Sequence, residues 1–163
     1  MVKTPKILLL LLASTSLLFT GCPDPLKPDG GIGVDEVRFT ASTEGQIFAS
    51  VEQLLTGGST YQIHAVDADA ISSGNVVIDI VVPKKATVPY TVTVGTDDAA
   101  VLSYCLELTS GTCTTYEAKK NTGSGTITIT QISPEVQGTF SGTLPLIGGA
   151  GTRTLTSGEF RAK

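Results

Sequence analysis

The chain has 163 residues, one domain's worth once targeting segments are removed, with 15 Asp and Glu against 11 Lys and Arg and a single His. A net charge of −4 with no large basic cluster disfavours nucleic acid or an anionic lipid surface as an electrostatic partner, because both require clustered Lys and Arg. Three Cys, no Trp and 18 Gly set the remaining questions: where the odd thiol goes, and how a Gly-rich chain builds a core.

Residues 1–21 read as an export signal. Lys3 and Lys6 give a basic start, Ile7 to Phe19 is an apolar run, and Thr20 and Gly21 close it with small residues. The run suits a signal peptide, whereas a spanning helix needs about 20 apolar residues. Phe19-Thr20-Gly21-Cys22 resembles the lipobox of bacterial lipoproteins, with Phe19 where Leu is usual and Leu18 just upstream. That resemblance implies cleavage before Cys22, diacylglycerol on its thiol and a further acyl chain on its new amine. One chain holds a protein marginally and two or three hold it stably, so Cys22 would tie the protein to a membrane. Pro23, in place of Asp, implies the outer membrane of a bacterial envelope over the inner one. Loss of Lys3 and Lys6 with the signal takes the basic count from 11 to 9 against 15 acidic residues, a net of −6.

Residues 22–34 follow as a lipidated Cys and a tether, "CPDPLKPDGGIGV", extended in its Pro-containing half and flexible at Gly30-Gly31. Residues 35–163 form the domain, and its apolar residues alternate as in strands. "ASVEQLLTGG" at 49–58 is ambiguous between a strand and a helical turn. "TYQIHAV" puts Ile63 and Ala65 on one face and the only histidine, His64, on the other. "NVVIDIVV" is apolar on both faces except for Asp79, which predicts a central strand covered on both sides. "VPYTVTV" alternates cleanly, and its Pro predicts an edge strand or a strand start. "GTITIT" and "VQGTFSGTL" repeat the alternation with Thr on the polar face, while "LIGGAGTRT" (146–154) reads as a flexible connection. Turn signals fall between these runs, and the sum is a single antiparallel β-sandwich or distorted β-barrel of about nine or ten short strands.

With Cys22 consumed by lipid, Cys105 and Cys113 remain as an even pair in an oxidising compartment, and a disulfide between them is expected. In "YCLELTSGTCTTY", Cys105 and Glu107 share the wetter face of a hairpin around Thr109-Ser110-Gly111, opposite Tyr104, Leu106 and Leu108. A stapled loop protects an edge and is sometimes a recognition loop, which makes Tyr104, Glu107 and Tyr116 the binding candidates.

Three stretches, "VRFTASTEGQIFAS", "SGTITITQISPEVQGTFSGTL" and "TLTSGEFRAK", resemble an uncharacterised family of small all-β bacterial lipoproteins. The resemblance spans most of residues 37–163 and rests on strands with glycine turns, so it implies architecture and location and no activity.

The residues offer little catalytic chemistry. His64 has no adjacent nucleophile in sequence, and Ser141 lacks the Gly-x-Ser-x-Gly setting of a nucleophile elbow. Asp67, Asp69, Asp97 and Asp98 could offer oxygens to calcium, yet the D-x-D-x-D-G pattern is missing and ordinary turn aspartates explain them. No metal and no cofactor is expected. The reading is a non-enzymatic envelope lipoprotein, anchored to the membrane through Cys22, whose β domain contacts a protein or glycan partner or serves structurally. The alternatives are an envelope hydrolase using loop carboxylates such as Asp67 or Asp97, and a calcium-binding module.

Overall fold

The structure is a computed structural model that describes residues 32–71, 74–108 and 112–163. Ten strands follow in chain order: β1 (Glu36–Ala41), β2 (Gly45–Leu55), β3 (Thr60–Ile71), β4 (Gly74–Pro83), β5 (Tyr90–Val94), β6 (Val101–Leu108), β7 (Cys113–Ala118), β8 (Ser124–Gln131), β9 (Val136–Pro145) and β10 (Thr152–Ala162). They form one antiparallel sheet in the order β5-β8-β9-β10-β1-β2-β3-β4-β6-β7, curled into a nearly closed barrel. The ambiguous segment at 49–58 is strand through Leu55, because Ala49 and Val51 continue the period of two that begins at Ile47 and that a sheet face requires. The proline-marked strand is β5, and it lies at one end of the sheet as its Pro predicts.

The two ends of the sheet are drawn together by backbone bonds between other segments. Ile147 N donates to Thr115 O at 2.9 Å, which lays the end of β9 against β7. Asn121 N donates to Gly95 O at 2.9 Å, which ties the β7–β8 turn to the end of β5. Curling sends alternate side chains inward, and they fill the space. Val37 and Phe39 from β1, Ile78 and Ile80 from β4, and Ile127 and Ile129 from β8 are wholly buried. Five aromatic rings run through the interior as neighbours: Phe160, Phe140, Phe39, Tyr104 and Tyr116, with centroids 5.9–6.4 Å apart. Glycines make room for these rings. A Cβ on Gly138 would strike the Thr128 carbonyl oxygen and approach Phe160 Cζ to 2.6 Å.

Two expectations change. The strand "NVVIDIVV" is β4, interior to the sheet between β3 and β6, but among the described residues no second layer covers its outward face. Val77, Asp79 and Val81 there are half-buried, sheltered by side chains of the flanking strands. The stretch 146–154 is a connection only as far as Gly151; β10 begins at Thr152 and turns Arg153 into the barrel. Further along β10, a bulge between Leu155 and Gly158, with Ser157 at φ 52°, shifts the alternation by one residue. That shift is what lets Leu155, Phe160 and Ala162 all face inward.

Candidate functional site

Strand register places a polar row across the outer face of the barrel. Gln53 on β2 opposes His64 on β3, His64 opposes Asp79 on β4, Asp79 opposes Ser103 on β6, and Ser103 opposes Glu117 on β7. His64 Nδ1 lies 2.7 Å from Asp79 Oδ1, and both side chains are roughly two-fifths exposed, at 42% and 44%. A carboxylate only accepts, so Nδ1 is the donor in this contact.

Two grooves meet on this pair. One, of about 260 Å³, runs past Gln53, Leu55 and Gln62. The other, of about 430 Å³, runs along the strands past Val66, Val77, Ser103, Glu107 and Thr115 to the disulfide. Cys105 and Cys113 are bonded, with Cα atoms 5.8 Å apart on a diagonal of the β6–β7 pair, so the staple forms part of the groove wall. The centre of the hairpin turn, Thr109 to Gly111, lies outside the described residues.

The hairpin candidates divide between the two faces. Glu107 is outward, half-buried and in the groove. Tyr104 is a correction: it is wholly buried inside the barrel, on the apolar face that alternation with Leu106 already implied. Tyr116 opposes it across the strand pair, half-buried and packed on the core, so it too is an interior residue. The Tyr104 ring therefore has no surface to present to a partner, and Tyr116 is in large part committed to packing.

The interior holds a polar cluster that the sequence reading missed. The Arg153 guanidinium donates to Glu44 Oε1 at 3.1 Å and to Thr43 Oγ1, and lies 4.8 Å from the Tyr116 ring centroid and 5.6 Å from that of Tyr104. The Arg153 and Glu44 side chains are only 11% and 10% exposed. Burial first, and then the Glu44 carboxylate, push the Tyr104 hydroxyl well above the ordinary tyrosine range, with Arg153 opposing. The signal for this cluster was present in "TRTLT", where Arg153 shares a strand face with Leu155.

The remaining candidates lie apart from the groove. Asp97 Oδ1 accepts from Ala99 N at 2.9 Å, the self-capping bond of a turn aspartate, and Asp98 pairs with Lys120. Asp67 is in β3 opposite Val76, half-buried; the side chain of Asp69 is not among those described. Among the described residues no three His, Cys, Asp or Glu side chains converge as a metal-ligand set. Cys22 lies outside the described residues.

The order His64–Asp79–Ser103 decides what this row can do chemically. The carboxylate sits between the imidazole and the hydroxyl, and strands two apart are separated by about 10 Å. A serine nucleophile needs its base within hydrogen-bond reach, so this row is not a Ser–His–Asp relay. It is a set of donors and acceptors over an aliphatic floor. A third groove, also of about 430 Å³, over β8 to β10, is lined mostly by Thr and Ser. Its hydroxyls bond to one another, Thr126 to Ser141 at 3.2 Å, with Thr91 and Thr128 beside them at 2.8 Å, as cross-strand pairs do. Comparison with protein-family profiles, curated proteins and solved structures gave no match to this chain.

Proposed function

We propose that the protein is a lipid-anchored module of a bacterial cell envelope that binds and does not catalyse, held by acyl chains on Cys22 and presenting its outer-face groove to a ligand. The groove at His64, Asp79 and Glu107 is the observation that carries this reading. It joins donors, acceptors and an apolar floor on a rigid sheet, while the barrel interior is filled by its own rings. The lipobox-like Phe19-Thr20-Gly21-Cys22 supports the anchor, the likeness to small all-β lipoproteins supports the envelope, and Pro23 after the cysteine supports its outer membrane. The stapled hairpin supports an oxidising compartment.

Two measurements test this. Labelled fatty acid should enter the wild-type chain and not the Cys22→Ser chain, and labelling of the variant would remove the anchor from the account. Residues 22–163 carrying Cys22→Ser should turn over no glycan or peptide substrate. Turnover lost in His64→Ala, Asp67→Asn or Asp97→Asn would replace the binding reading with the hydrolase.

A further inference from the structure

The outer groove that runs from Asp79 to the disulfide has a polarity along its length. Ser103 and Glu107 lie on the same face of β6 four residues apart, and Asp79 opposes Ser103, so Asp79 and Glu107 stand about 14 Å apart along the strands. Between these two carboxylates the floor is Val66, Val77 and the Cys105–Cys113 disulfide. Ser103 and Thr115 contribute hydroxyls along the same path, and among the described residues neither Lys nor Arg lines it. His64 Nδ1 donates to Asp79 Oδ1 at 2.7 Å, which holds the carboxylate in place at one end of the groove.

A negative end, an apolar middle with hydroxyls, and a second negative end match a linear chain bearing cations at both termini and methylenes between them. We propose that this groove binds a linear polyamine of three or four amines, which rests on the binding reading above. One terminal ammonium meets Asp79 with Ser103 beside it, the other meets Glu107, the methylenes lie on Val66, Val77 and the disulfide, and an inner amine donates to Thr115. A groove of about 430 Å³ is the size of a small-molecule site. The net charge of −6 on the exported chain draws the same sign of ligand.

The test uses the exported chain, residues 22–163 with Cys22→Ser, with spermine and the short butane-1,4-diamine as probes at low ionic strength. Spermine should shift the backbone amide resonances of Val77, Ser103, Cys105 and Glu107. Asp79→Asn and Glu107→Gln should each weaken it at least tenfold while leaving the rest of the amide spectrum in place. The short diamine reaches only one carboxylate, so it should bind at least tenfold more weakly than spermine and lose little further affinity in Glu107→Gln. Three results would overturn the proposal: no shifts at millimolar spermine, equal affinity for the two amines, or tighter binding of a dibasic peptide than of spermine at these residues. Failure here leaves the binding reading standing if envelope material still perturbs the groove, and that is measured separately with the same labelled chain.

Discussion

Removing the Arg153 guanidinium should be among the most damaging single changes in the domain. In Arg153→Ala the Glu44 carboxylate, 10% exposed, loses the partner 3.1 Å away. Breaking a buried pair on one side costs about 3–5 kcal/mol, because the remaining charge stays desolvated. The contacts with the Tyr116 and Tyr104 rings, 4.8 and 5.6 Å from the guanidinium carbon, add about 0.5–1 kcal/mol each. Relief of the arginine's own desolvation offsets part of this, and the expected loss is about 3 kcal/mol. With a urea slope of about 1.5 kcal/mol/M for a domain of this size, the unfolding midpoint should fall by about 2 M. Removing both charges in Glu44→Gln/Arg153→Met should leave stability within about 1 kcal/mol of wild type, since no charge is then stranded. The assay is urea denaturation followed by far-UV circular dichroism, run as a double-mutant cycle. A midpoint shift below about 0.5 M for Arg153→Ala, or a double variant as unstable as the single one, would refute the assignment of this cluster as a coupled buried unit.

Three further outcomes follow from the fold. Replacing both Cys105 and Cys113 with Ser should cost about 2.5 kcal/mol by release of a short loop, read as a lower urea midpoint with near-native spectra. Gly138→Ala should destabilise strongly, by about 2–3 kcal/mol, because its methyl meets the Thr128 carbonyl and the Phe160 ring, whereas Gly57→Ala, with nothing within 4 Å, should be nearly neutral. Tyr104 keeps its proton when folded at pH values where an unfolded tyrosine releases it. The unfolded state then binds fewer protons, so stability should fall by about 1.4 kcal/mol per pH unit above pH 10 from this group. Tyr104→Phe should remove that part of the alkaline slope, and an unchanged slope would contradict it.

What the sequence made legible follows the reach of its local rules. Alternation in "VPYTVTV", "GTITIT" and "VQGTFSGTL" located strands and their inward residues, because a period of two is set within a few residues. Whether those strands close as a barrel or stack as a sandwich depends on β10 pairing with β1 across almost the whole domain, and on the seam near Thr115 and Ile147. No local pattern carries that. The bulge at Ser157 also defeats a strict alternation, since Leu155 and Phe160 would otherwise fall on opposite faces. Tyr104 shows the opposite failure: alternation with Leu106 puts its face inward, where it is buried, while its place beside the staple suggests a binding residue. His64 and Asp79 lie 15 residues apart and meet only through the β3–β4 register, so neither could be paired in advance.

The central claim is that the groove at His64, Asp79 and Glu107 is where this protein meets its ligand. Its most direct test is an amide-resolved titration of labelled residues 22–163, carrying Cys22→Ser, with soluble envelope extract split by dialysis into small-molecule and macromolecular fractions. The account predicts shifts from one fraction concentrated at Val77, Asp79, Ser103, Glu107 and Thr115, and abolished by Asp79→Asn with Glu107→Gln. Shifts centred on the hydroxyl face at Thr126, Thr128 and Ser141, or groove shifts untouched by those two substitutions, would contradict it.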